Sequence, residues 1–158
     1  MDIKEFKIDD DVLLLSRDKS VELGHVYNSI TRGSGNLAGF IGEIVAQKEY
    51  GGVLENTYEY DLVLPDGRRI DVKTKRTSVA PLPTYDCSVT ASQIKYDCDG
   101  YLFIRVSYSY DIGWLLGYME KEEFIDKSTF HKKGESVGNN FKFRADCYNV
   151  KIDMLESI

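Results

Sequence analysis

Hydrophobic residues recur with a helical period after the break at Gly33-Ser34-Gly35. They occupy positions i, i+3, i+4, i+7 and i+8 and form one stripe, which consists of Leu37, Phe40, Ile41, Ile44 and Val45. This period predicts an amphipathic helix. Ser34 or Asn36 can cap its N-terminus, and the helix should end near residue 49. Gly39 and Gly42 within it are expected to let another backbone approach closely.

Other segments have the patterns of strands. Residues 101–107 are almost continuously apolar, which predicts a buried central strand with residues 113–119 as its neighbour. Residues 147–155 alternate between apolar and polar side chains, as expected for an edge strand. Residues 120–127 have the composition of a short amphipathic helix. This order of elements predicts a single α/β domain in which helices flank a mixed central β-sheet.

The remaining segments are polar or interrupted, and their predicted structure is local. The predictions are short helices over 10–16, 19–28 and 91–97, an irregular connection over 77–88, and a polar loop over 132–140. Pro81 and Pro83 argue against regular structure in the connection, and Thr90 is the expected N-cap of the third helix. Residues 1–31 are expected to form an N-terminal extension that caps the core or acts as a dimer arm.

Residues 58–75 have the pattern of a β-hairpin. Alternating runs over 58–64 and 68–75 flank Pro65-Asp66-Gly67, where proline presets the turn and glycine supplies a positive φ. A three-residue loop pairs Leu64 with Arg68, and this register makes Asp61 face Asp71. One face of the hairpin is then mostly apolar and the other polar. The apolar face holds Tyr60, Leu62, Leu64, Ile70 and Val72, and the polar face holds Glu59, Asp61, Asp71 and Lys73.

The predicted pairing of Asp61 with Asp71 requires something to offset their charges. Directly opposite residues have Cβ atoms about 4.5 to 5.5 Å apart, where like charges destabilise a sheet. A divalent cation held by both carboxylates would remove that repulsion, and hard oxygen ligands suit Mg²⁺. Lys73 projects from the same face and could hold a water beside the metal. The alternative is a solvated hairpin face on which Asp71 and Lys73 form a weak surface ion pair.

The hairpin, together with the helix before it, resembles the signature of the PD-(D/E)XK nuclease superfamily. The resemblance rests on Asp61, the triplet Asp71-Val72-Lys73 about ten residues later, and Glu43 in the preceding helix. It extends over roughly residues 36–107 and continues through 113–124, in the manner of small phage and restriction-type nucleases. The family often has proline before its first aspartate, whereas Tyr60 stands at that position here.

The resemblance implies a restriction-endonuclease-like core and a Mg²⁺-dependent endonuclease that acts on DNA, with Mn²⁺ able to substitute. Applied to this chain, it makes Asp61, Asp71 and the carbonyl of Val72 the metal ligands, with Glu43 completing or supporting the ligand shell. Lys73 would orient or activate the attacking water, and cleavage would leave a 5′-phosphate. A polar residue after the hairpin can approach the family's site, and Gln93 is the candidate.

Composition and charge narrow the function classes. The chain has 158 residues, of which 42% are hydrophobic and 29% charged, as in ordinary globular domains. Its net charge of −6 argues, at face value, against a nucleic-acid partner. The metal-binding carboxylates count toward that sum, however, and the basic residues are grouped. The groups are Arg68, Arg69, Lys73, Lys75 and Arg76, then Lys132 and Lys133, then Lys142 and Arg144.

Three cysteines without a CxxC pair fit reduced thiols in a cytoplasmic protein. The apolar run at residues 12–15 is too short for a signal peptide or a membrane span, so no membrane association is expected.

Two alternatives from other classes stay open. One is a nucleic-acid-binding or assembly module that keeps the fold without turnover, and the other is a metal-dependent phosphoesterase that acts on nucleotides. A chain of this size that cuts both strands of DNA would favour a homodimer with two symmetry-related sites.

Overall fold

The computed structural model describes residues 2–26, 37–55, 57–137 and 141–158. Its helices are α1 (Asp10–Val26), α2 (Leu37–Tyr50) and α3 (Lys121–Lys127). Its strands are β1 (Lys4–Lys7), β2 (Val53–Leu54), β3 (Leu62–Val63), β4 (Arg69–Thr77), β5 (Asp86–Thr90), β6 (Gly100–Ser107), β7 (Ile112–Glu120), β8 (Thr129–His131), β9 (Ser136–Val137), β10 (Phe141–Lys142) and β11 (Cys147–Lys151).

A mixed sheet organises the fold. Among the described residues it contains six strands in the order β1-β7-β6-β4-β3-β2. β4 and β6 are parallel, and the other neighbours are antiparallel. β6 is buried along nearly its whole length, because its apolar run is covered on both faces. The predicted α/β class and the mixed central sheet are confirmed, as are the strands expected at residues 101–107 and 113–119.

Helices α1 and α2 cover one face of the central sheet. α2 contacts β4 and β6, and α1 packs on α2. The predicted stripe of α2 is buried at Phe40, Ile41 and Ile44, and Ala38 and Ala46 are buried as well because α2 lies between the sheet and α1. The prediction of two helices over 10–16 and 19–28 is wrong, since one helix runs through Asp10–Val26. The caps proposed at Ser34 and Asn36 lie outside the described residues.

A second, three-stranded sheet lies on the other side, in the order β5-β11-β8 within the described part of the chain. It encloses a second core cluster together with α3, whose Phe124 is fully buried. The rings of Tyr101 and Phe103 in β6 lie 5.1 and 6.0 Å from the ring of Phe124. The short helix predicted over 120–127 is therefore confirmed as α3, and it seals this core.

Three sequence predictions fail in or beside the second sheet. Residues 86–88 belong to β5 rather than to an irregular loop, and β11 is its central strand rather than an edge. The helix predicted over 91–97 is replaced by turns, because Thr90 stays extended and pairs with Cys147. The Ala91 amide then donates to the carbonyl of Asp146 at 2.8 Å, which holds the chain beside β11.

The predictions for the segments at both ends of the chain were incomplete. β1 extends the central sheet by pairing with β7, and the indole Nε1 of Trp114 donates to Glu5 at 3.1 Å. In the predicted polar loop over 132–140, Ser136–Val137 form β9 and pair with β10. Residues Lys4–Lys7 are thus an edge strand of the central sheet, and the roles predicted for residues 1–31 as a cap or a dimer arm stay predictions. None of the described helices is long and apolar enough to cross a membrane.

Candidate functional site

The turn of the hairpin forms as predicted. The Gly67 amide donates to the carbonyl of Leu64 at 2.9 Å, and the Leu64 amide donates to the carbonyl of Arg68 at 2.9 Å. Gly67 has φ of 91°, a value that favours glycine. Leu62 pairs with Ile70, in the predicted register. The predicted register is therefore confirmed for the part of the hairpin that leads into β4.

The regular pairing of β3 with β4 begins at Leu62, so Asp61, the residue just before it, lies outside the ladder. The Asp61 amide donates to the carbonyl of Ile70 at 2.9 Å, and its carboxylate Oδ2 accepts from the Val72 amide at 2.8 Å. The paired residues are Leu62 with Ile70 and Val63 with Arg69, so the predicted direct pairing of Asp61 with Asp71 is not part of the ladder. Tyr60 packs against the second core cluster, not on the face predicted for it. The irregular backbone turns the Asp61 carboxylate toward the main chain of β4.

The main chain of Val72 also points toward Asp61. In a β-strand the N–H and the C=O of one residue point to the same side, as their exchange with a single partner in a ladder requires. Because the Val72 N–H donates to Asp61, the Val72 carbonyl points toward the same edge of β4. The carbonyl assigned as a metal ligand by the resemblance therefore lies on the side of β4 where Asp61 is.

Glu43 reaches this edge from α2. Its carboxyl shares a hydrogen bond with the carboxyl of Asp61, which requires a proton on one of them. Burial is the main cause that raises the pKa of Glu43 to about 7, and the charge of Asp71 adds to it. Burial, followed by the charges of Glu43 and Asp71, raises the pKa of Asp61 to about 8. The charge of Asp71 thus opposes the ionisation of both Glu43 and Asp61.

Lys73 lies on the other side of Asp71. Its Nζ is 2.9 Å from Asp71 Oδ2 and donates to Gln93 Oε1 at 2.6 Å. Both members of the ion pair are largely buried, with 20% of the Lys73 side chain and 9% of the Asp71 side chain exposed. Gln93 comes from the turns after β5, not from a helix, and still contacts Lys73. The structure thus brings Glu43, Asp61, Asp71, Lys73 and Gln93 into one connected group.

Lys19 is a member of the site that sequence analysis missed. It lies in α1, and its charge lowers the pKa of Glu43 in opposition to burial. No sequence pattern pointed to it, because its neighbourhood depends on how α1 packs on α2. Glu43, the carboxyl group that comes from α2, therefore has a positive charge near it.

The donor chemistry of the site fits a divalent cation. Three carboxyl groups and a main-chain carbonyl supply the hard oxygens that Mg²⁺ prefers. In the structure Glu43 and Asp61 are joined by a hydrogen bond, and no three His, Cys, Asp or Glu side chains among the described residues form a ready metal cage. A cation would take the place of the proton in that hydrogen bond and balance the charge of the buried carboxylates.

No model of a known protein family matches this chain, and no curated protein matches it.

Proposed function

We propose that this chain is a metal-dependent nuclease that hydrolyses phosphodiester bonds of DNA and leaves 5′-phosphate ends. The observation that carries the proposal is the junction of the Glu43, Asp61 and Asp71 carboxyls with Lys73 at one edge of β4. The resemblance of these same residues to the PD-(D/E)XK superfamily supports it, and so does the mixed α/β sheet on which they stand.

Under this proposal Asp61, Asp71 and the Val72 carbonyl would hold Mg²⁺, with Glu43 completing the set. Mn²⁺ could substitute. Bound Mg²⁺ would stabilise the charge that develops on the phosphate and lower the pKa of a bound water. The other roles in the reaction belong to side chains of this chain.

Lys73 positions the attacking water by a hydrogen bond from its ammonium group, and its positive charge faces the phosphate that is attacked. Gln93 fixes the Lys73 side chain through the 2.6 Å hydrogen bond. Asp71 holds the same ammonium group from the other side, at 2.9 Å. Lys73 is thus restricted between two partners before any substrate arrives, which reduces the ordering that the reaction requires.

A non-catalytic nucleic-acid-binding or assembly module is the second candidate. The observation that favours it is the hydrogen bond between the carboxyls of Glu43 and Asp61, which lets them stabilise the fold without a cation. This candidate expects no binding of Mg²⁺ or Mn²⁺ at Asp61 and Asp71.

The deciding experiment is cleavage of labelled linear, nicked, single-stranded and branched DNAs in Mg²⁺, Mn²⁺ or EDTA. Wild type is compared with Asp71→Ala and Lys73→Ala, and the exposed Glu59→Gln serves as a matched control for loss of one charge. We expect metal-dependent cutting by wild type and the control, and a loss of about 100-fold or more in both site variants, the scale of removing one group that stabilises charge in the transition state. Full activity in either site variant would refute the assignment.

Titration calorimetry with Mn²⁺ separates the two candidates when no cutting is seen. A folded wild-type protein that neither cuts DNA nor binds the metal would support the non-catalytic module. Metal binding that is lost in Asp71→Ala would instead keep the nuclease proposal and direct the search to other substrates.

A further inference from the structure

A cavity of about 200 Å³ lies between the central sheet and the second sheet, behind the candidate site. Lys73 and Gln93 line it where it adjoins the site, and Lys75 and Arg105 line it further along. Its volume is below the roughly 300–1,000 Å³ of pockets that take drug-sized ligands. It exceeds several times the space of one water, which is about 30 Å³. The cavity is therefore of a size for a small group and its waters.

Two cations face this cavity side by side. The parallel register of β4 and β6 pairs Lys75 directly with Arg105. Like charges opposite each other in a sheet are destabilising. Arg105 is also only 5% exposed, so its charge has little water around it. Burial lowers the pKa of both groups, and the charge of Arg105 lowers that of Lys75 further.

The carboxylates around the cavity do not neutralise this pair. Asp86 also lines the cavity and its charge acts on both cations, but its Oδ1 is held by Lys151 Nζ at 2.8 Å. Asp71 is engaged by Lys73. In the parts of the chain that the structure describes, no carboxylate oxygen lies within 4.0 Å of a charged nitrogen of Lys75 or Arg105. The cavity therefore has an excess of positive charge.

The Arg105 guanidinium is held in place by neutral groups. Its Nη2 donates to the carbonyl of Asp86 at 2.8 Å, and its Cζ lies 5.5 Å from the centre of the Tyr85 ring. Guanidinium has five N–H donors in a planar fork that matches the oxygens of a phosphate. The contact with Asp86 fixes the fork and leaves other donors for a ligand. A buried and anchored arginine of this kind is suited to bind an anion.

We propose that this cavity binds a phosphoryl group through Arg105 and Lys75. The ligand class follows from the small volume, the planar donor fork and the two cations, which have no carboxylate oxygen within 4.0 Å among the described residues. That the phosphoryl group belongs to a nucleic-acid substrate rests on the proposed function.

It is then a different phosphate from the one that is cleaved. Lys75 follows Lys73, which faces the phosphate that is attacked and also lines the cavity, by two residues, or roughly 7 Å along an extended strand. The cavity therefore fixes the position of the strand on the enzyme, while the carboxylate edge of β4 acts on a bond farther along it.

The first test is binding of inorganic phosphate to the full chain in EDTA, by titration calorimetry against chloride at equal ionic strength. Lys75→Gln removes one cation from the cavity, Arg105→Lys keeps the charge and removes the fork, and Lys7→Gln removes an exposed lysine on β1 at the far edge of the sheet. We expect saturable binding by wild type and Lys7→Gln, and at least tenfold weaker binding by the other two. No saturable binding by wild type, or equal affinity in all four proteins, would overturn the proposal.

The second test separates this inference from the proposed nuclease activity. Asp61→Asn alters the carboxylate edge and lies outside the cavity walls. It should bind phosphate like wild type while it loses cleavage, so failure of catalysis leaves phosphate binding intact as a separate observation. Loss of phosphate binding in Asp61→Asn would mean that the anion binds at the carboxylate edge, and would overturn the cavity as its site.

Oligonucleotides with and without a terminal phosphate identify the source of the phosphoryl group. If KM in Lys75→Gln rises more than kcat falls for both substrates, the phosphoryl group is an internal phosphodiester. If KM rises only for the phosphorylated substrate, it is the terminal phosphate. An unchanged KM for both would refute the assignment of the phosphoryl group to the substrate.

Discussion

The carboxyl pair of Glu43 and Asp61 makes the stability of the metal-free protein depend on pH. Their ordinary pKa values of 4.5 and 3.8 leave both groups ionised in the unfolded chain above about pH 5. The native pair shares a hydrogen bond and must keep at least one proton there. Because the native pKa values are raised, the contribution is fully present below the unfolded values and is lost as the pH rises toward about 7 and about 8.

The smallest size of the effect follows from one proton, and the two raised pKa values together would double it. A native state that binds one proton more than the unfolded state loses about 1.4 kcal/mol of unfolding free energy per pH unit. From pH 5 to pH 7 the loss is about 3 kcal/mol, which is a large part of the roughly 5–15 kcal/mol that stabilises a typical domain.

The perturbation is Asp61→Asn. The asparagine amide can donate to Glu43 without a titrating proton, and its oxygen can still accept from the Val72 amide. We expect the fall in stability between pH 5 and pH 7 to shrink by about 1 kcal/mol per pH unit relative to wild type.

Urea unfolding at pH 5, 6, 7 and 8 in EDTA measures this slope, with the exposed Glu59→Gln as the control for removal of one carboxylate. The control should parallel wild type. If Asp61→Asn also parallels wild type, the two carboxyls do not share a proton and the electrostatic account of the site is wrong.

Two further predictions concern the packing of α2 and the binding of Mg²⁺. A Cβ on Gly42 would lie 1.8 Å from Thr74 Oγ1, so Gly42→Ala should destabilise the protein by about 1–3 kcal/mol. Adding Thr74→Ala to that variant should restore most of the loss. A Cβ on Gly39 would have nothing within 4 Å, so Gly39→Ala should stabilise the protein by up to about 1 kcal/mol through helix propensity. Equal urea midpoints for Gly42→Ala and Gly39→Ala would contradict this prediction. Mg²⁺ should raise the melting temperature more at pH 8 than at pH 6, because a proton must leave before the cation binds, and equal increments at both values would show that the cation binds elsewhere.

Sequence patterns predicted the elements whose burial follows from the pattern of their own residues. The apolar run of β6 and the stripe of α2 each face a large core, so their periodicity survives in the fold. The turn at Pro65-Asp66-Gly67 depends only on local backbone preferences. These parts could be predicted because little outside the segment decides them.

The second sheet could not be predicted in the same way. It brings together β5, β8 and β11, which are short and come from distant parts of the chain. A strand of three to five residues has too few positions for its period to identify it. Thr90 illustrates the result, because its side chain suits a helix cap, while pairing with Cys147 keeps it extended. Tertiary contacts decided that segment against its local preference.

The site residues were selected from a motif, and the structure adds the geometry that the motif leaves open. The spacing of Asp61 and Asp71 suggested a regular cross-strand pair, but an irregular backbone directs Asp61 to Glu43 and to the Val72 amide. The pairing of Lys75 with Arg105 depends on a parallel register across 30 residues of sequence, which the patterns of the two strands do not specify.

The close approach of α2 to β4 links these observations. Gly42 lets the helix lie directly on Thr74, and the next residue, Glu43, is thereby pressed against Asp61. Both carboxyls are buried there, and this burial is the main cause that raises their pKa values. On the opposite face of β4, the side chains change from acidic to basic between the carboxylate edge and the cavity, in the order Asp71, Lys73, Lys75. One strand can therefore present a cation site and a phosphate site at a fixed separation, because their spacing is set by an extended backbone that the helix holds in place.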